Sequence, residues 1–580
     1  MIESLRSSPT VALVLRTCRR PLAYAAFFSA LLNLLFLAPM IYMLQVYDRV
    51  IPSQGKTTLL LLSAILLFAL GTLALLEAVR ARLFLRASNR LNERFAAPLM
   101  RATLLRDGSA RPAPHHALRD LDTLRQSLTS PASAALLDLP WLPIYLAIGF
   151  LINFWIGVLA AAGSLLIFAL AWRSEQLLRR PLMAANLAAN RSYQVYEQTV
   201  ASADLVKAIG AGETMIRGHL HNRVDMLEQQ GKASLLSARL TAESRFVRLA
   251  LQSLALGLGA LLAISGQISP GAVFASMFVV GRALAPIDAL VGHWRTLVQA
   301  RGAIITLDEV LGEARPATTR TRLPDPVGKL EVEDLQVTGD EGEEILAGLG
   351  FTIEPGEMVA VLGPSGAGKS TLVRALAGAI AVEGGTIRFD DAELRDWDPA
   401  QLARHLGFMP QETLLFPGTI KDNISRFERF SGASLATLDE DIVDAAKRAG
   451  AHELILRLPG GYDHVVRPGS RSLSAGQMQR VTLARALYRR PRYVLLDEPN
   501  ANLDNEGDAQ LTETLRQLKS EGTTVIIVAH RLSMLNLVDK LLYVQNGRLA
   551  YAGGRDDVLQ QLNPPRSAAD RMVAGRRIAS

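Results

Sequence analysis

The sequence has a single cysteine, Cys18, among its 580 residues. One thiol can form neither an intramolecular disulfide nor a thiolate metal cluster, which excludes a disulfide-stapled fold and allows a reducing compartment. Charged residues are also scarce, at 20% against 49% hydrophobic residues, and the mean hydropathy is +0.19. A chain this long and this apolar is neither one ordinary core nor a wholly soluble protein, so we expect apolar and polar residues to occupy different parts of it.

Neither charge sign dominates, since 62 Lys and Arg face 55 Asp and Glu, giving a formal net charge of +7. A basic surplus is typical of nucleic-acid binding, but basic loops beside membrane spans give the same arithmetic. The apolar runs of the first half favour the second interpretation, and we expect no nucleic-acid partner.

Four stretches of the first half contain no Asp, Glu, Lys, Arg or His: 22–46, 57–76, 139–172 and 249–281. About 20 apolar residues cross a hydrocarbon core of about 30 Å. The first two stretches therefore predict one span each, and the last two predict two spans each, turning near Asn153 and at 266–270. The sequence predicts six membrane helices in three hairpins.

Basic residues precede the first span and follow the second: Arg6, Arg16, Arg19, Arg20, Arg80, Arg82, Arg86 and Arg90. Because the turns at Asn153 and Gly266 carry no charge, both termini are expected in the cytoplasm. The first apolar run exceeds a signal-peptide core, so no cleavage is expected. The charged blocks 77–137 and 173–248 are predicted to be helices that continue into the cytoplasm. Within them, 118–124 and 203–210 are either short amphipathic helices at bends or contacts to another domain. Asp138, Arg282 and Asp288 are costly near a bilayer, and should face an interior path or each other.

From about Lys329 strand-like and helical segments alternate, which is an α/β pattern. The apolar run 358–362 precedes a glycine-rich loop and then a helix, which is the setting of a phosphate-binding loop. Glycines let the backbone N–H groups point at phosphate, the lysine supplies positive charge and the first hydroxyl can bind Mg²⁺. The predicted loop comprises Gly363, Pro364, Ser365, Gly366, Ala367, Gly368, Lys369, Ser370 and Thr371.

A second apolar strand, 493–497, ends in Asp497 and Glu498. Its end should lie beside the phosphate loop, where Asp497 can hold Mg²⁺ and Glu498 can polarise the attacking water. Upstream, Ser474, Gly476 and Gln477 open a helix. They predict either a helix cap or a second anion-binding turn.

The segment 330–553 resembles the ATPase domain of ATP-binding-cassette (ABC) transporters. Its motifs occur in the family's order: the phosphate loop, Gln411, the signature 473–477, Asp497 with Glu498, the D-loop 502–504 and His530. The resemblance implies that Gln411 contacts Mg²⁺ together with Ser370 and Asp497. It also implies that Glu498 is the general base, that His530 holds the γ-phosphate, and that Ser474, Gly476, Gln477 and Asp504 complete an ATP site across a homodimer. The signature has Ala475 where glycine is commoner, and 335–339 lacks the aromatic residue that stacks on adenine in many relatives.

Four further segments, 43–52, 138–145, 281–287 and 415–424, resemble the permease/ATPases of type I secretion systems. The span beginning near Leu22 fits their shorter class, without an N-terminal peptidase-like domain. The expected fold is an α-helical six-span transmembrane domain plus an α/β P-loop ABC ATPase domain. The expected divisions are 1–21, 22–312, 313–329, 330–563 and 564–580.

By this resemblance the chain exports unfolded polypeptides with a C-terminal secretion signal across the bacterial inner membrane. The implied partners are a membrane fusion (adaptor) protein and an outer-membrane channel, with ATP and Mg²⁺ as cofactors and membrane lipids around the spans. The segments 118–124 and 203–210 would be the helices that couple ATP use to transport. An exporter of lipids, peptides or drugs is the alternative.

Overall fold

The computed structural model describes residues 9–104, 117–313, 320–339, 342–432, 435–467, 472–529 and 532–562. The chain divides into two compact units. The described residues up to 313 belong to the first unit, and those from 320 belong to the second.

The first unit is helical, and six of its described helical segments are long and apolar enough to cross a membrane. This confirms the predicted six spans. The chain breaks at Asn153, whose backbone is extended, and turns again after Ser265, as the sequence predicts. The helices are α1 (Pro9–Leu35), α2 (Ala38–Gln45), α3 (Ile51–Ser53), α4 (Lys56–Leu104), α5 (Ala117–Thr129), α6 (Pro131–Asp138), α7 (Leu142–Ile152), α8 (Phe154–Ala201), α9 (Ala203–Ala208), α10 (Gly212–Ile264), α11 (Pro270–Gly292) and α12 (Trp294–Glu313).

Three helices are much longer than a membrane is thick. Helices α4, α8 and α10 have 49, 48 and 53 residues. At about 1.5 Å per residue each is about 70–80 Å long, more than twice the hydrocarbon thickness. Their polar parts coincide with the charged blocks that the sequence assigns to continuing helices.

The two segments expected at bends differ in their surroundings. Residues 118–124 belong to α5, where Leu121 and Leu124 are buried in one apolar cluster with Leu91 and Phe95 of α4. Residues 203–208 form the short helix α9. Leu205 within this helix is 61% exposed, and Ile209, directly after it, is 63% exposed. Most large apolar side chains of the segment 203–210 are therefore exposed within the first unit, whereas those of 118–124 are mostly buried.

The carboxylate of Asp138 is held inside the first unit by polar groups of two other helices. Arg80 of α4 forms an ion pair with it at 3.2 Å. From α1, Asn33 donates an amide hydrogen bond of 2.8 Å and the Ser29 hydroxyl donates another. These partners satisfy a charge whose burial would otherwise be costly.

Asp288 of α11 is held in the same way by α10. It accepts hydrogen bonds from Ser244 at 2.7 Å and from Arg248 at 2.8 Å. Arg282 pairs with neither aspartate; its guanidinium carbon lies 3.2 Å from the centre of the Phe36 ring, a cation–π contact. None of the three charges therefore pairs with another of the three: both aspartates form ion pairs with other residues of the unit, and an interior path for Arg282 stays a prediction.

The described residues of the second unit form three β-sheets. In the six-stranded sheet the order is β12-β11-β3-β10-β9-β6, parallel except for β12, and a four-stranded antiparallel sheet has the order β2-β1-β4-β5. Strands β7 and β8 pair separately. The strands are β1 (Leu330–Thr338), β2 (Glu344–Ile353), β3 (Met358–Leu362), β4 (Gly384–Phe389), β5 (Ala392–Glu393), β6 (Leu406–Met409), β7 (Gly418–Thr419), β8 (Val465–Val466), β9 (Tyr493–Asp497), β10 (Thr524–Val528), β11 (Lys540–Gln545) and β12 (Arg548–Gly554).

Helices cover the parallel sheet, as the α/β pattern predicts. Strands β3, β9 and β10 are almost wholly buried, which explains their continuous apolar sequences. The helices are α13 (Lys369–Leu376), α14 (Pro399–His405), α15 (Ile420–Ile424), α16 (Leu435–Arg448), α17 (His452–Leu456), α18 (Ala475–Leu487), α19 (Asn505–Ser520), α20 (Leu532–Leu535) and α21 (Arg555–Leu562).

Candidate nucleotide-binding site

The glycine-rich loop lies between β3 and α13, so the strand, loop and helix predicted from the sequence are confirmed. Gly363 has φ +148°, and a Cβ there would lie 2.1 Å from the carbonyl oxygen of Val544. Only glycine fits this position. The Lys369 side chain is buried, and its ammonium donates to the carbonyl oxygens of Gly363 and Pro364 at 3.0 and 2.9 Å. The loop thus folds around a cation at the start of a helix, an arrangement that attracts phosphate.

Strand order brings Asp497 to the phosphate loop. Strand β10 lies between β3 and β9, and its Val528 is in register with Asp497 on one side and with Val361 on the other. The Ser370 hydroxyl donates a hydrogen bond of 3.2 Å to Oδ1 of Asp497. Two of the three predicted Mg²⁺ ligands therefore touch.

The other oxygen of Asp497, Oδ2, is buried and has no hydrogen-bond partner among the described residues. Burial raises the pKa of this carboxyl; the Ser370 hydrogen bond opposes that shift, and the neighbouring Glu498 carboxylate adds to it. A buried carboxylate oxygen with a free lone pair beside a hydroxyl fits the oxygen ligands of Mg²⁺. A cation there would also reverse the electrostatic cost of burial.

Glu498 follows the strand in a left-handed conformation with φ +49°. Such a backbone is uncommon for a side chain other than glycine or asparagine and is found disproportionately at functional sites. The side-chain amide of Gln411, two residues after β6, donates to Oε2 of Glu498 at 3.1 Å. Gln411, Glu498, Asp497 and Ser370 thus form one continuous cluster at the carboxyl ends of β6 and β9.

The signature segment is a capped helix start. Ser474 accepts a hydrogen bond from the backbone of Gln477 at 3.2 Å, and the Gln477 side chain accepts one from the backbone of Ser474 at 2.9 Å. This capping box satisfies the first N–H groups of α18. A Cβ on Gly476 would lie 2.9 Å from the carbonyl oxygen of Asn502, so Gly476 allows the D-loop to approach closely.

Asp504 caps the next helix, α19, by accepting a hydrogen bond of 2.8 Å from the backbone of Gly507. Arg480 of α18 lies 3.5 Å from the same carboxylate. Among the described residues, no hydrogen bond joins the signature segment to the phosphate loop. His530 lies outside the described residues, two positions after the end of β10.

Gln479 was not identified from the sequence. It is 2% exposed, its amide donates to the Pro499 carbonyl, and its side-chain oxygen accepts from the backbone N–H of Asn502 at 3.1 Å. It therefore fixes the loop between Glu498 and the D-loop to the signature helix. The only signal in the sequence is a second glutamine two residues after Gln477.

Asn423 and Arg426 were also missed. Asn423 is fully buried and donates to the carbonyls of Phe416 and Thr419 at 2.9 and 3.1 Å. Arg426 donates to backbone carbonyls of Ala403, Leu406 and Arg485, and burial lowers its pKa to about 10. Both residues hold the segment after Gln411.

Comparison with known proteins agrees with this geometry. The family described as "ABC transporter" matches residues 346–501, and the "ABC transporter transmembrane region" matches residues 22–282. The type I secretion system ATP-binding protein PrsD of Rhizobium meliloti is 38% identical, over 96% of this chain and 95% of its own. The chain belongs to the type I secretion ABC proteins.

Two further matches extend the assignment. The cyclolysin secretion/processing ATP-binding protein CyaB of Bordetella pertussis is 30% identical to this type I secretion ABC protein, over 92% of this chain and 75% of CyaB. The structure of a bacterial Atm1-family ABC exporter with ATP bound has a TM-score of 0.79 at 25% identity, covering 94% and 97% of the two chains. The protein is thus a multi-pass membrane protein with an ABC exporter fold and an ATPase that couples ATP hydrolysis to transport.

Proposed function

We propose that this protein is the permease/ATPase of a bacterial type I secretion system and exports unfolded polypeptides bearing a C-terminal secretion signal across the inner membrane. The observation that carries the proposal is the 38% identity to PrsD over nearly the whole of both chains. PrsD and CyaB are both secretion ATP-binding proteins, which favours this substrate class over lipids, peptides or drugs.

Roles in the nucleotide site follow from position and charge. The loop 363–371 would bind the ATP phosphates through its backbone N–H groups, with the Lys369 ammonium on the outer phosphates. Ser370 and Asp497 would hold Mg²⁺, joined by Gln411, and the buried free oxygen of Asp497 supports this set. Mg²⁺ bound there would neutralise charge developing on the phosphates.

Hydrolysis would depend on Glu498. Its carboxylate would orient and deprotonate the attacking water, while Gln411, 3.1 Å away, fixes the position of that carboxylate. His530 would hold the γ-phosphate, a role that comes from the family resemblance. Because Gln411 contacts the proposed base, a movement of the loop after β6 would change the rate of hydrolysis.

A homodimer would complete each site. Ser474 and Gln477 bond to each other and Gly476 approaches the D-loop, and among the described residues none of the three forms a hydrogen bond with the phosphate loop. A two-fold interface would place them, with Asp504, on the nucleotide held by the partner subunit. Two equivalent sites would then close together on ATP and separate after hydrolysis.

Export across two membranes would need partners. The turn at Asn153 and the turn at 265–269 are only a few residues long. Turns this short cannot cross a periplasm, so an adaptor (membrane fusion) protein and an outer-membrane channel would continue the path. Membrane lipids would surround the six spans.

The decisive experiment uses the protein in lipid nanodiscs. ATP hydrolysis would be measured with a polypeptide that carries a C-terminal secretion signal, and separately with a panel of lipids and small amphiphiles. The variant E498Q serves as the blank. A saturable change in rate with the polypeptide alone is expected. A response to lipid or amphiphile without any response to the polypeptide would refute protein export and favour the alternative exporter.

A further inference from the structure

A strongly basic cavity of about 510 Å³ lies in the ATPase unit away from the nucleotide site. Its volume is in the range of small-molecule sites, about 300–1,000 Å³. Four arginines and one histidine contribute to its lining, against a single carboxylate. These charged residues are Asp325, Arg404, His405, Arg489, Arg490 and Arg492.

The cavity lies at the amino ends of two strands whose carboxyl ends form the nucleotide site. His405 directly precedes β6 and Arg492 directly precedes β9. Gln411 and Asp497 stand at the other ends of these strands. Four or five residues at about 3.3 Å each separate the two ends by about 15 Å, so the cavity is distinct from the ATP site.

Two of the four arginines, Arg404 and Arg492, have positive charges that no described carboxylate neutralises in an ion pair. The side chains of Arg404 and Arg492 are exposed, and among the described residues neither forms an ion pair. The other two are held from behind: Arg489 lies 3.2 Å from Asp441, and Arg490 lies 3.0 Å from Asp444. The cavity therefore presents two uncompensated guanidinium groups beside two whose positions are fixed.

The backbone at this place is unusual. Arg489 and Arg490 both have left-handed conformations, with φ +61° and +51°. Two successive non-glycine residues in this region are energetically costly, and such conformations cluster at ligand sites. Their effect here is that both side chains line the same cavity from one turn.

The arrangement selects among anions. A carboxylate is planar and is satisfied by one bidentate arginine, whereas a phosphate offers oxygens in several directions. Here the guanidinium groups come from the end of α14, from the turn after α18 and from the start of β9. Donors converging from three elements match tetrahedral phosphate better than a single carboxylate.

We propose that this basic cavity binds a phosphate-bearing ligand, either a soluble polyphosphorylated compound or a phospholipid headgroup. Its four arginines suit more than one phosphate group. The site is separate from the ATP-binding loop and does not depend on which substrate the protein exports. Arg404 and Arg492 supply the charge, and Arg489 and Arg490 shape the cavity.

The test is a calorimetric titration of full-length protein, in nanodiscs of phosphatidylcholine, with sodium tripolyphosphate in low-salt buffer without Mg²⁺. The proteins carry K369A to weaken phosphate binding at the nucleotide loop. Adding R404A and R492A should lower the affinity at least tenfold. Adding R395A and R516A instead removes the same charge from exposed arginines elsewhere and should leave the affinity within twofold.

Equal affinities in all three proteins, or an equal loss in the control, would overturn the proposal. The variant R404A/R492A without the K369A substitution should hydrolyse ATP at the wild-type rate, which would show that it is folded. Phosphatidic acid in the nanodisc that competes with tripolyphosphate would identify a headgroup as the source, and absence of competition would identify a soluble ligand. A polyglutamate peptide that binds the cavity more tightly than tripolyphosphate would overturn the assignment to phosphate.

Discussion

Gln479 offers a test of how the loop after Glu498 is held, because its side chain forms hydrogen bonds to this loop at two places. We consider Q479L, which keeps the side chain's approximate size and removes both hydrogen bonds. Each bond is worth about 0.5–1 kcal/mol net. Pro499 is buried, so its carbonyl would be left unpaired at a further cost of about 1–2 kcal/mol, whereas Asn502 is exposed and can bond to water. The loop should lose about 2–4 kcal/mol of stabilisation.

The loss should appear in turnover rather than in ATP binding. The loop follows the proposed base Glu498, and among the described residues no hydrogen bond joins it to Gly363 or Lys369, which are expected to bind ATP. If the whole loss fell on the placement of the base, kcat would fall about 30- to 1,000-fold, at 1.36 kcal/mol per factor of ten. KM for ATP should stay within about threefold.

The assay is steady-state ATP hydrolysis in nanodiscs, with thermal unfolding followed in parallel. Q517L is the matched control, because Gln517 is exposed on α19 and its side-chain amide donates to the exposed Glu521 at 3.0 Å. We expect the control to retain the wild-type kcat. A normal kcat in folded Q479L would refute the inference that Gln479 positions this loop.

Three further predictions concern other residues, two in the ATPase unit and one in the membrane unit. G476A should lower kcat, because its Cβ would lie 2.9 Å from the Asn502 carbonyl and would push the D-loop away; steady-state ATP hydrolysis checks this, and a wild-type kcat in the folded variant would contradict it. D497N should abolish hydrolysis yet raise the Tm of nucleotide-free protein at pH 7.5. The raised pKa of Asp497 means that ionisation opposes folding, so the gain should shrink as the pH falls towards the ordinary value of 3.8. D138A should destabilise the protein by about 3–5 kcal/mol by leaving the Arg80 charge unpaired; R80A/D138A should recover part of this, and simple additivity would exclude coupling.

The sequence was most informative where a motif is short and its context is local. The strand, loop and helix around Lys369 follow from consecutive residues, and the meeting of Ser370 with Asp497 follows from parallel strands sharing one edge of a sheet. The six spans were predictable because a membrane imposes a minimum apolar length. The capped start of α18 was likewise predictable, since the side chain of Ser474 bonds within its own turn.

Contacts between distant segments were not predictable. Gln479 has no local feature that distinguishes it from an exposed glutamine; its role depends on Pro499, 20 residues away. Arg426 looks like a surface arginine in the sequence, but its guanidinium binds carbonyls of residues up to 59 positions distant. The basic cavity escaped notice for the same reason, because Arg404 and Arg492 converge only once β6 and β9 are side by side.

Three charged residues in the membrane unit show both what the sequence predicts and what it does not. Hydropathy identified Asp138, Arg282 and Asp288 as costly, but the helix facing each charge decides its partner. Both aspartates are used to tie helices together, Asp138 to α1 and α4 and Asp288 to α10. Arg282 lies on the face of the Phe36 ring and also interacts with the Tyr145 side chain, and its Nε atom has no hydrogen-bond partner among the described residues. Arg282 is therefore a better candidate than either aspartate for a charge that contributes to transport. Removing either aspartate would first break the contacts that hold the helices together.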